Sequence, residues 1–538
     1  MKMGIRTGLS VAAIAMATAG FSSQAHADAA ACNGLSQRAI SAAAIGLPTG
    51  GGKVTSAEFI AAKDDLPAYC KVLGAIAPLD PKATPVLFQV NLPDNWNKKA
   101  VQYGGGAMNG TVTTGLGPLP IQPPTAPLAL ARGFITLGND GGHPVVRPDT
   151  RVFMQNDEAF ANHAYGAYKK NRDAAADLAS AYYGQKVAHF YYIGSSEGGR
   201  EGLVMAQRFP KDYSGIAAIV PVVGWTPMML AHYDMWQHQR DGIWFSPAQI
   251  KLLQQTTDGA CDELDGLKDG VVSNYLGCNG KVNVVRMQCS DPQQSNDSCL
   301  SARHVRFLND MHGGLKLDYA LTGGVRGFPG WGWGGEAQPG GFSPWRQPAA
   351  KPPHPDMGLG QNGTGFLRYA VTNDLGYVTP KPYNQHRQRI QAVSAMMDAA
   401  PELAAFQARG GKILMIENTA DYAQAPAHGY AYYNAVVKKL GQARTDGFFR
   451  LYVSPGLNHG SAGVAADGSV IPAQLDMLGV IDSWADQGQA PGTLTVASYT
   501  GAAPFQVVAT KPLCRYPTYP RYKAGSDAKQ AAGYTCAR

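Results

Sequence analysis

Val187-Ala188-His189-Phe190-Tyr191-Tyr192-Ile193 leads directly into Gly194-Ser195-Ser196-Glu197-Gly198-Gly199, and a helical pattern follows through Gln207. The first run is rich in aromatic and β-branched residues and predicts a strand. The glycines behind it permit a tight turn, so the order is strand, turn, helix. In that setting the pattern G-x-S-x-G acquires meaning, because the serine then sits on a strained elbow with its hydroxyl presented at the strand's carboxyl end. The amide that opens the helix faces the place where an oxyanion can form. The bare pattern turns up by chance in many chains. The strand and helix around it make Ser196 a candidate nucleophile and the amide of Glu197 a candidate oxyanion donor.

A hydroxyl is a poor nucleophile until a base takes its proton, so a histidine and an orienting carboxylate must follow. On sheets of this kind the order along the chain is serine, acid, histidine. Lys412 to Ile416 predicts a buried strand, with Asn418-Thr419-Ala420-Asp421 in the loop behind it. Phe448 to Val453 predicts the next strand, which ends in Ser454-Pro455-Gly456-Leu457-Asn458-His459-Gly460. Asp421 and His459 thus stand in loops after the carboxyl ends of strands, where open α/β sheets carry their chemistry. Glu417 and Asp446 compete for the acid's place, and a loop aspartate has a plainer use as a helix cap. The second oxyanion donor must come from an early loop. Tyr103-Gly104-Gly105-Gly106-Ala107-Met108-Asn109-Gly110 follows a predicted strand and offers the amides of Gly106 and Ala107, the alternative being an ordinary turn.

The formal charge of the 538-residue chain is +7, its basic residues are scattered, and no run reaches five, which argues against nucleic acid as a partner. The chain opens with Lys2 and Arg6, an apolar stretch from Leu9 to Phe21, and Ala25-His26-Ala27, the pattern of an export signal cleaved after residue 27. The apolar part is shorter than the roughly 20 residues that span a bilayer, so no membrane anchor is expected. Loss of Lys2 and Arg6 leaves +5. No lipobox cysteine stands at the cleavage site to carry a lipid, and the destination is the periplasm or the medium. The 8 cysteines, an even number in an exported chain, then read as disulfides. Eight cysteines allow about 105 pairings. Proximity suggests Cys261 with Cys278 and Cys289 with Cys299, and Cys32 with Cys70 and Cys514 with Cys536 complete the set.

The chain exceeds one ordinary core, so a large domain with a second domain or long insertion is expected. Between Ser196 and Asp421 lie 224 residues, more than the intervening strand–helix units require. The expected division is a signal at 1–27, a first part of the core at 28–223, an insertion at 224–400 and the rest of the core at 401–538. Within the insertion, Phe328, Trp331, Trp333, Phe342 and Trp345 stand among glycines and prolines. They are either walls for a flat aromatic ligand or the insertion's own core. Cys261-Asp262-Glu263-Leu264-Asp265-Gly266-Leu267-Lys268-Asp269-Gly270-Val271 places three aspartates and two turn glycines where oxygens can converge on one hard cation, or where an acidic turn simply meets water. No cysteine–histidine cluster suggests zinc.

Gly194 to Arg200, the Asp421 loop and Pro455 to His459 together resemble the tannase and feruloyl esterase family, including its MHETase-type members. The likeness extends to the early glycine loop, to Asn139-Asp140-Gly141-Gly142-His143, to the cysteine spacing and to the tail. The resemblance implies an α/β-hydrolase core interrupted by a large lid domain. It also implies hydrolysis of small aromatic esters, of acids such as gallate, ferulate or terephthalate, through a Ser196–His459–Asp421 triad. It places a structural calcium ion on the side chains of Asp262, Asp265 and Asp269 and the carbonyls of Leu267 and Val271, and implies no other cofactor. The family usually has a cysteine before the nucleophile and another after the base, joined by a disulfide. Here Ser195 and Gly460 occupy those places, which leaves packing and loop hydrogen bonds to keep the triad in register. MHETase-type members hold a substrate carboxylate with a lid arginine. Gly358 to Phe366 contains none and Arg368 belongs to a predicted helix, so terephthalate monoesters are not expected. The competing readings are a short-chain or polyester-oligomer esterase, a peptidase or acyltransferase on the same fold, and a binding protein with a relic triad.

Overall fold

Successive residues of the central strands bury into opposite cores. Tyr192, Ile216, Ala218, Ile413 and Met415 belong to one apolar cluster, and Tyr191, Ile193, Ala217, Ile219, Leu414 and Ile416 to another. Side chains alternate across a strand, so unbroken apolar runs of this kind are what a sheet covered on both faces demands. The computed structural model describes residue 1 and residues 29–146, 149–240, 242–346, 360–378 and 385–538. The expected export signal, beyond Met1, lies outside the described residues, as does Gly358.

The strands in chain order are β1 (Ala39–Ile40), β2 (Gly52–Ile60), β3 (Tyr69–Ile76), β4 (Val86–Pro93), β5 (Lys99–Tyr103), β6 (Ile135–Asn139), β7 (His189–Ser195) and β8 (Gly215–Ile219). There follow β9 (Leu315–Lys316), β10 (Gly327–Phe328), β11 (Lys412–Asn418), β12 (Phe449–Ser454), β13 (Leu494–Tyr499), β14 (Val507–Arg515), β15 (Tyr519–Tyr522) and β16 (Tyr534–Ala537). Twelve of them form one sheet in the order β1-β2-β3-β4-β6-β5-β7-β8-β11-β12-β14-β13. The middle of this sheet, β6 through β12, is parallel, and both flanks are antiparallel. It is an α/β fold.

Helices cover both faces. Ala167–Tyr183, rich in alanine, packs on the first face and stops at Gly184, whose φ of 65° is the left-handed cap that glycine adopts without strain. Met477–Gln487 lays Leu478, Ile481 and Trp484 on the second. Between β8 and β11 the described residues add no strand to the large sheet. They build mainly helices around a buried cluster that includes Trp225, Tyr233, Phe307, Phe328, Trp331, Phe342 and Phe366 and takes in Phe153, Phe160 and Tyr422 from outside this stretch. Disulfides close Cys32 to Cys70, Cys261 to Cys278, Cys289 to Cys299 and Cys514 to Cys536, with Cα separations of 5.5, 5.2, 5.0 and 5.6 Å.

Candidate active site

Ser196 joins β7 to the helix Glu197–Arg208 with φ 58° and ψ −121°, a conformation costly for a residue with a side chain. The turn closes only because its neighbours are glycines. A Cβ on Gly194 would lie 2.5 Å from the Gly198 carbonyl, and one on Gly198 would lie 2.6 Å from the Gly105 oxygen. The strain thus has a use: it lifts the Ser196 hydroxyl off the end of the sheet toward the loops that follow β11 and β12.

His459 comes from the loop after β12. Its Nε2 is 2.8 Å from Ser196 Oγ, and its Nδ1 is 2.7 Å from Asp421 Oδ2. With the proton on Nδ1 the ring donates to Asp421 and accepts from the serine hydroxyl. Asp421 is buried, and its other oxygen accepts the amides of Ala423 at 2.8 Å and Gln424 at 3.1 Å. Burial of His459 disfavours its cation. The Asp421 charge and hydrogen bond outweigh this and hold the pKa above the ordinary histidine value. Of the competing acids, Glu417 lies behind Asp421, bonded to the Gln424 side chain at 2.7 Å, and burial pushes its carboxyl well above the usual range. Asp446 pairs with Arg515 and Gln442, away from His459.

The early glycine loop lies against the elbow: a Cβ on Gly104 would sit 2.7 Å from Gly198 Cα. Among the described residues the amides of Glu197, Gly106 and Ala107 donate no hydrogen bond, as donors kept for a ligand do. The Asn139–His143 segment backs this loop, since the Gly110 amide donates to the Asp140 carbonyl at 2.8 Å. The Glu197 side chain points the other way. It is buried against Arg200, whose Nε donates to Oε1 at 2.7 Å, and burial raises its carboxyl to about 7 against the opposing pull of that guanidinium.

The insertion reaches the site at one corner. Trp345 meets the His459 ring edge-on, with centroids 5.4 Å apart, and its indole N–H donates to Gly340 O at 3.0 Å. Asn458 Nδ2 donates to Pro339 O at 2.8 Å, so residues 339–345 and the histidine loop form one unit. Among the five aromatics noted in the sequence, Phe328, Trp331 and Phe342 are buried in a cluster that the insertion shares with residues such as Phe160 and Tyr422, while Trp333 and Trp345 are half-buried. Arg346, missed by the sequence reading, is 2% exposed and lies 4.0 Å from the centroid of Trp331 with its Nη2 3.4 Å from His232 Nε2. Burial draws its pKa down to about 9, countered by the nearby charge of Asp421. Nothing in the sequence beyond its place next to Trp345 marks it.

In the acidic loop, Asp262 and Asp265 are buried. Asp262 accepts the Gly270 amide at 3.0 Å, Asp265 that of Leu267 at 3.0 Å and Asp269 that of Val271 at 3.1 Å. Lys511 pairs with Asp269 at 3.2 Å. Among the described residues no three His, Cys, Asp or Glu side chains converge as a metal site. The loop's far end bears on the site: Val271 packs with Leu457, and a Cβ on Gly456 would lie 2.7 Å from Val271 Cγ1.

A family model described as tannase and feruloyl esterase matches residues 70–537. An uncharacterised esterase of Agrobacterium fabrum is 32% identical over 94% of this chain and 93% of its own length. The mono(2-hydroxyethyl) terephthalate hydrolase of Piscinibacter sakaiensis is 30% identical over 88% of this chain and 85% of its own. The crystal structure of feruloyl esterase B from Aspergillus oryzae superposes with a TM-score of 0.76 at 20% identity, covering 95% of this chain and all of that one. The chain belongs to the tannase and feruloyl esterase family of carboxylic ester hydrolases.

Proposed function

We propose that this protein is an exported serine esterase that cleaves small esters of aromatic, phenolic acids through an acyl-enzyme. The observation that carries the reading is the unbroken line from Asp421 through His459 to the Ser196 hydroxyl, at 2.7 and 2.8 Å, on a strained elbow. Ser196 Oγ attacks the ester carbonyl while His459 Nε2 takes the hydroxyl proton. Asp421 stabilises the imidazolium. The negative charge that develops on the carbonyl oxygen is met by the free amides of Glu197 and of Gly106 or Ala107. Collapse of the tetrahedral intermediate breaks the bond to the alcohol, which leaves with the proton from His459. Water, deprotonated by the same ring, then releases the acid from Ser196.

The substrate class rests on Trp345, half-buried beside the base, which offers a flat acyl ring an aromatic edge or face, and on the named activities of the relatives. The insertion at 224–400 acts as the lid that carries this wall. Export rests on Lys2, Arg6, the apolar run and Ala25-His26-Ala27, together with four closed disulfides.

A calcium ion suits the chemistry of the acidic loop, although among the described residues no three carboxylates converge there as the loop stands. Its donors are all hard oxygens, two of its three aspartates are buried, and one lysine is too little charge to balance them. Asp262, Asp265, Asp269 and the carbonyls of Leu267 and Val271 would hold the ion, which would supply charge neutralisation to the loop.

The deciding experiment is turnover of methyl gallate, methyl ferulate, chlorogenate, a terephthalate monoester and p-nitrophenyl butyrate by the mature protein and by Ser196→Ala. Serine-dependent cleavage of a phenolic ester supports the reading. Activity on butyrate alone replaces it with a general esterase, and ligand binding without turnover replaces it with a relic.

A further inference from the structure

Glu201 lies in the helix behind the elbow, five positions after Ser196, and is 0% exposed. Neither of its oxygens is idle. Oε2 accepts the amide of Gly105 at 3.0 Å and the hydroxyl of Tyr192, and Oε1 accepts the side-chain amide of Asn109 at 2.7 Å. Gly105 and Asn109 bracket Gly106 and Ala107, whose amides are among those that donate no hydrogen bond. The loop between these anchors is held away from relaxed geometry, with φ of 50° at Ala107 and 45° at Asn109, both in the left-handed region. A strained loop keeps such a shape only when its surroundings impose it.

We propose that Glu201 is a positioning residue for the oxyanion hole: its carboxylate ties the Gly105–Asn109 loop to the nucleophile's own helix and so fixes two sets of oxyanion donors in one frame. The inference rests on the esterase reading and deepens it. The first donor, the Glu197 amide, is fixed by the helix. The second set comes from a loop more than ninety residues earlier in the chain, and no disulfide spans the two. Hydrogen bonds to an ionised acceptor are shorter and stronger than neutral ones. A carboxylate that takes donors from both ends of the loop therefore sets its position more sharply than backbone packing alone. Glutamine replaces it only at a cost, because its amide N–H₂ would point either at the Gly105 N–H or at the Asn109 amide nitrogen, donor against donor, unless the Asn109 side chain turns over and gives up its bond to the Tyr168 hydroxyl.

The geometry also dictates a rescue. In the double variant Glu201→Gln with Asn109→Asp, the glutamine oxygen takes Gly105 and Tyr192 while its nitrogen donates to the new carboxylate, which restores the link with reversed polarity. Asn109 Oδ1 has no partner as it stands, so the bond the exchange gives up is that of Asn109 Nδ2 to the Tyr168 hydroxyl at 3.0 Å.

The test measures steady-state hydrolysis and, separately, the rate at which diethyl p-nitrophenyl phosphate labels Ser196, a reaction that builds charge on the same oxygen site. Glu201→Gln is expected to lower kcat about 10- to 100-fold with KM within about threefold, and to slow labelling in parallel. The double variant is expected to recover to within about fivefold of the starting protein. Asn109→Gly, which keeps the left-handed backbone and removes the tie together with the Asn109 bond to the Tyr168 hydroxyl, is expected to lose about 3- to 10-fold in kcat and serves if Glu201→Gln does not fold. Folded Glu201→Gln with kcat and labelling within about twofold of the starting protein overturns the proposal, as does a folded double variant no faster than the single one. A starting protein that the phosphate does not label at Ser196 overturns the esterase reading itself, and that result is distinct from unequal labelling among variants.

Discussion

Asn418, the last residue of β11, donates its side-chain amide to the carbonyl of Asn458 at 2.8 Å and to the Ser461 hydroxyl at 3.0 Å. The strand that leads to the acid thereby holds the loop that carries the base. Ser195 and Gly460, which flank the nucleophile and the histidine, offer no cysteine pair to join the two loops. The histidine loop is held by polar contacts instead: Asn458 Oδ1 accepts the amides of Gly460 and Ala462, and Thr419 Oγ1 accepts that of Gly456 at 2.9 Å.

Asn418→Ala removes the tie between the acid's strand and the base's loop without touching either group. The expected outcome is a fall in kcat of about 10-fold, since a small displacement of a catalytic group is costly, with the protein still folded by circular dichroism. Steady-state kinetics on the best substrate of the panel checks it. Unchanged kcat would mean that packing alone keeps His459 in place.

The pH profile follows from the direction of the His459 shift. The base works when neutral, and Asp421 holds its pKa above the ordinary value of about 6.5. Activity is therefore present above the shifted pKa and lost as pH falls through it. The acid limb of kcat/KM is expected to have its midpoint above about 6.5, and Asp421→Asn is expected to lower kcat by about 10⁴. A profile flat from pH 5 to 8 contradicts the assignment of His459 as base.

Trp345 is expected to separate aromatic from aliphatic substrates. Trp345→Ala is expected to lower kcat/KM for a phenolic ester about 10-fold and to leave p-nitrophenyl butyrate within about threefold, since a stacked ring pair contributes beyond area burial. Equal losses on both would place Trp345 as a support for His459 only.

Metal removal has two readouts. A chelator in excess is expected to lower the melting temperature by several degrees, and calcium is expected to restore it, because loss of a bound ligand shifts the folding equilibrium. Val271 packs with Leu457, two residues before His459, so kcat is expected to fall with the metal and return with it. Elemental analysis of the purified protein that finds no calcium, with a melting curve indifferent to chelator, refutes the site.

The elbow and the order serine, acid, histidine were legible because each depends on a short stretch of chain: an apolar strand, a glycine turn, a loop after a strand. Asn139–His143 was visible as a likeness but only the fold shows that it backs the glycine loop. The stretch between β8 and β11 is legible in the sequence as an excess of length and little more. Whether Phe328 or Trp345 faces substrate depends on how distant helices pack, and no local pattern records that. Glu201 was passed over for a related reason. Its partners lie on β7 and on a loop far back in the chain, and a lone glutamate four residues after another on a helix looks like a solvated surface. Its burial is a property of the assembled sheet.

Residues 339–345 and the histidine loop are joined through Asn458 and Pro339 and through the Trp345 ring against His459. Wall and imidazole therefore share one support. A change that loosens residues 339–345 is expected to disturb the ring of His459 before it disturbs the elbow at Ser196, so damage to this corner of the insertion would read out as a loss of turnover in a protein that still folds.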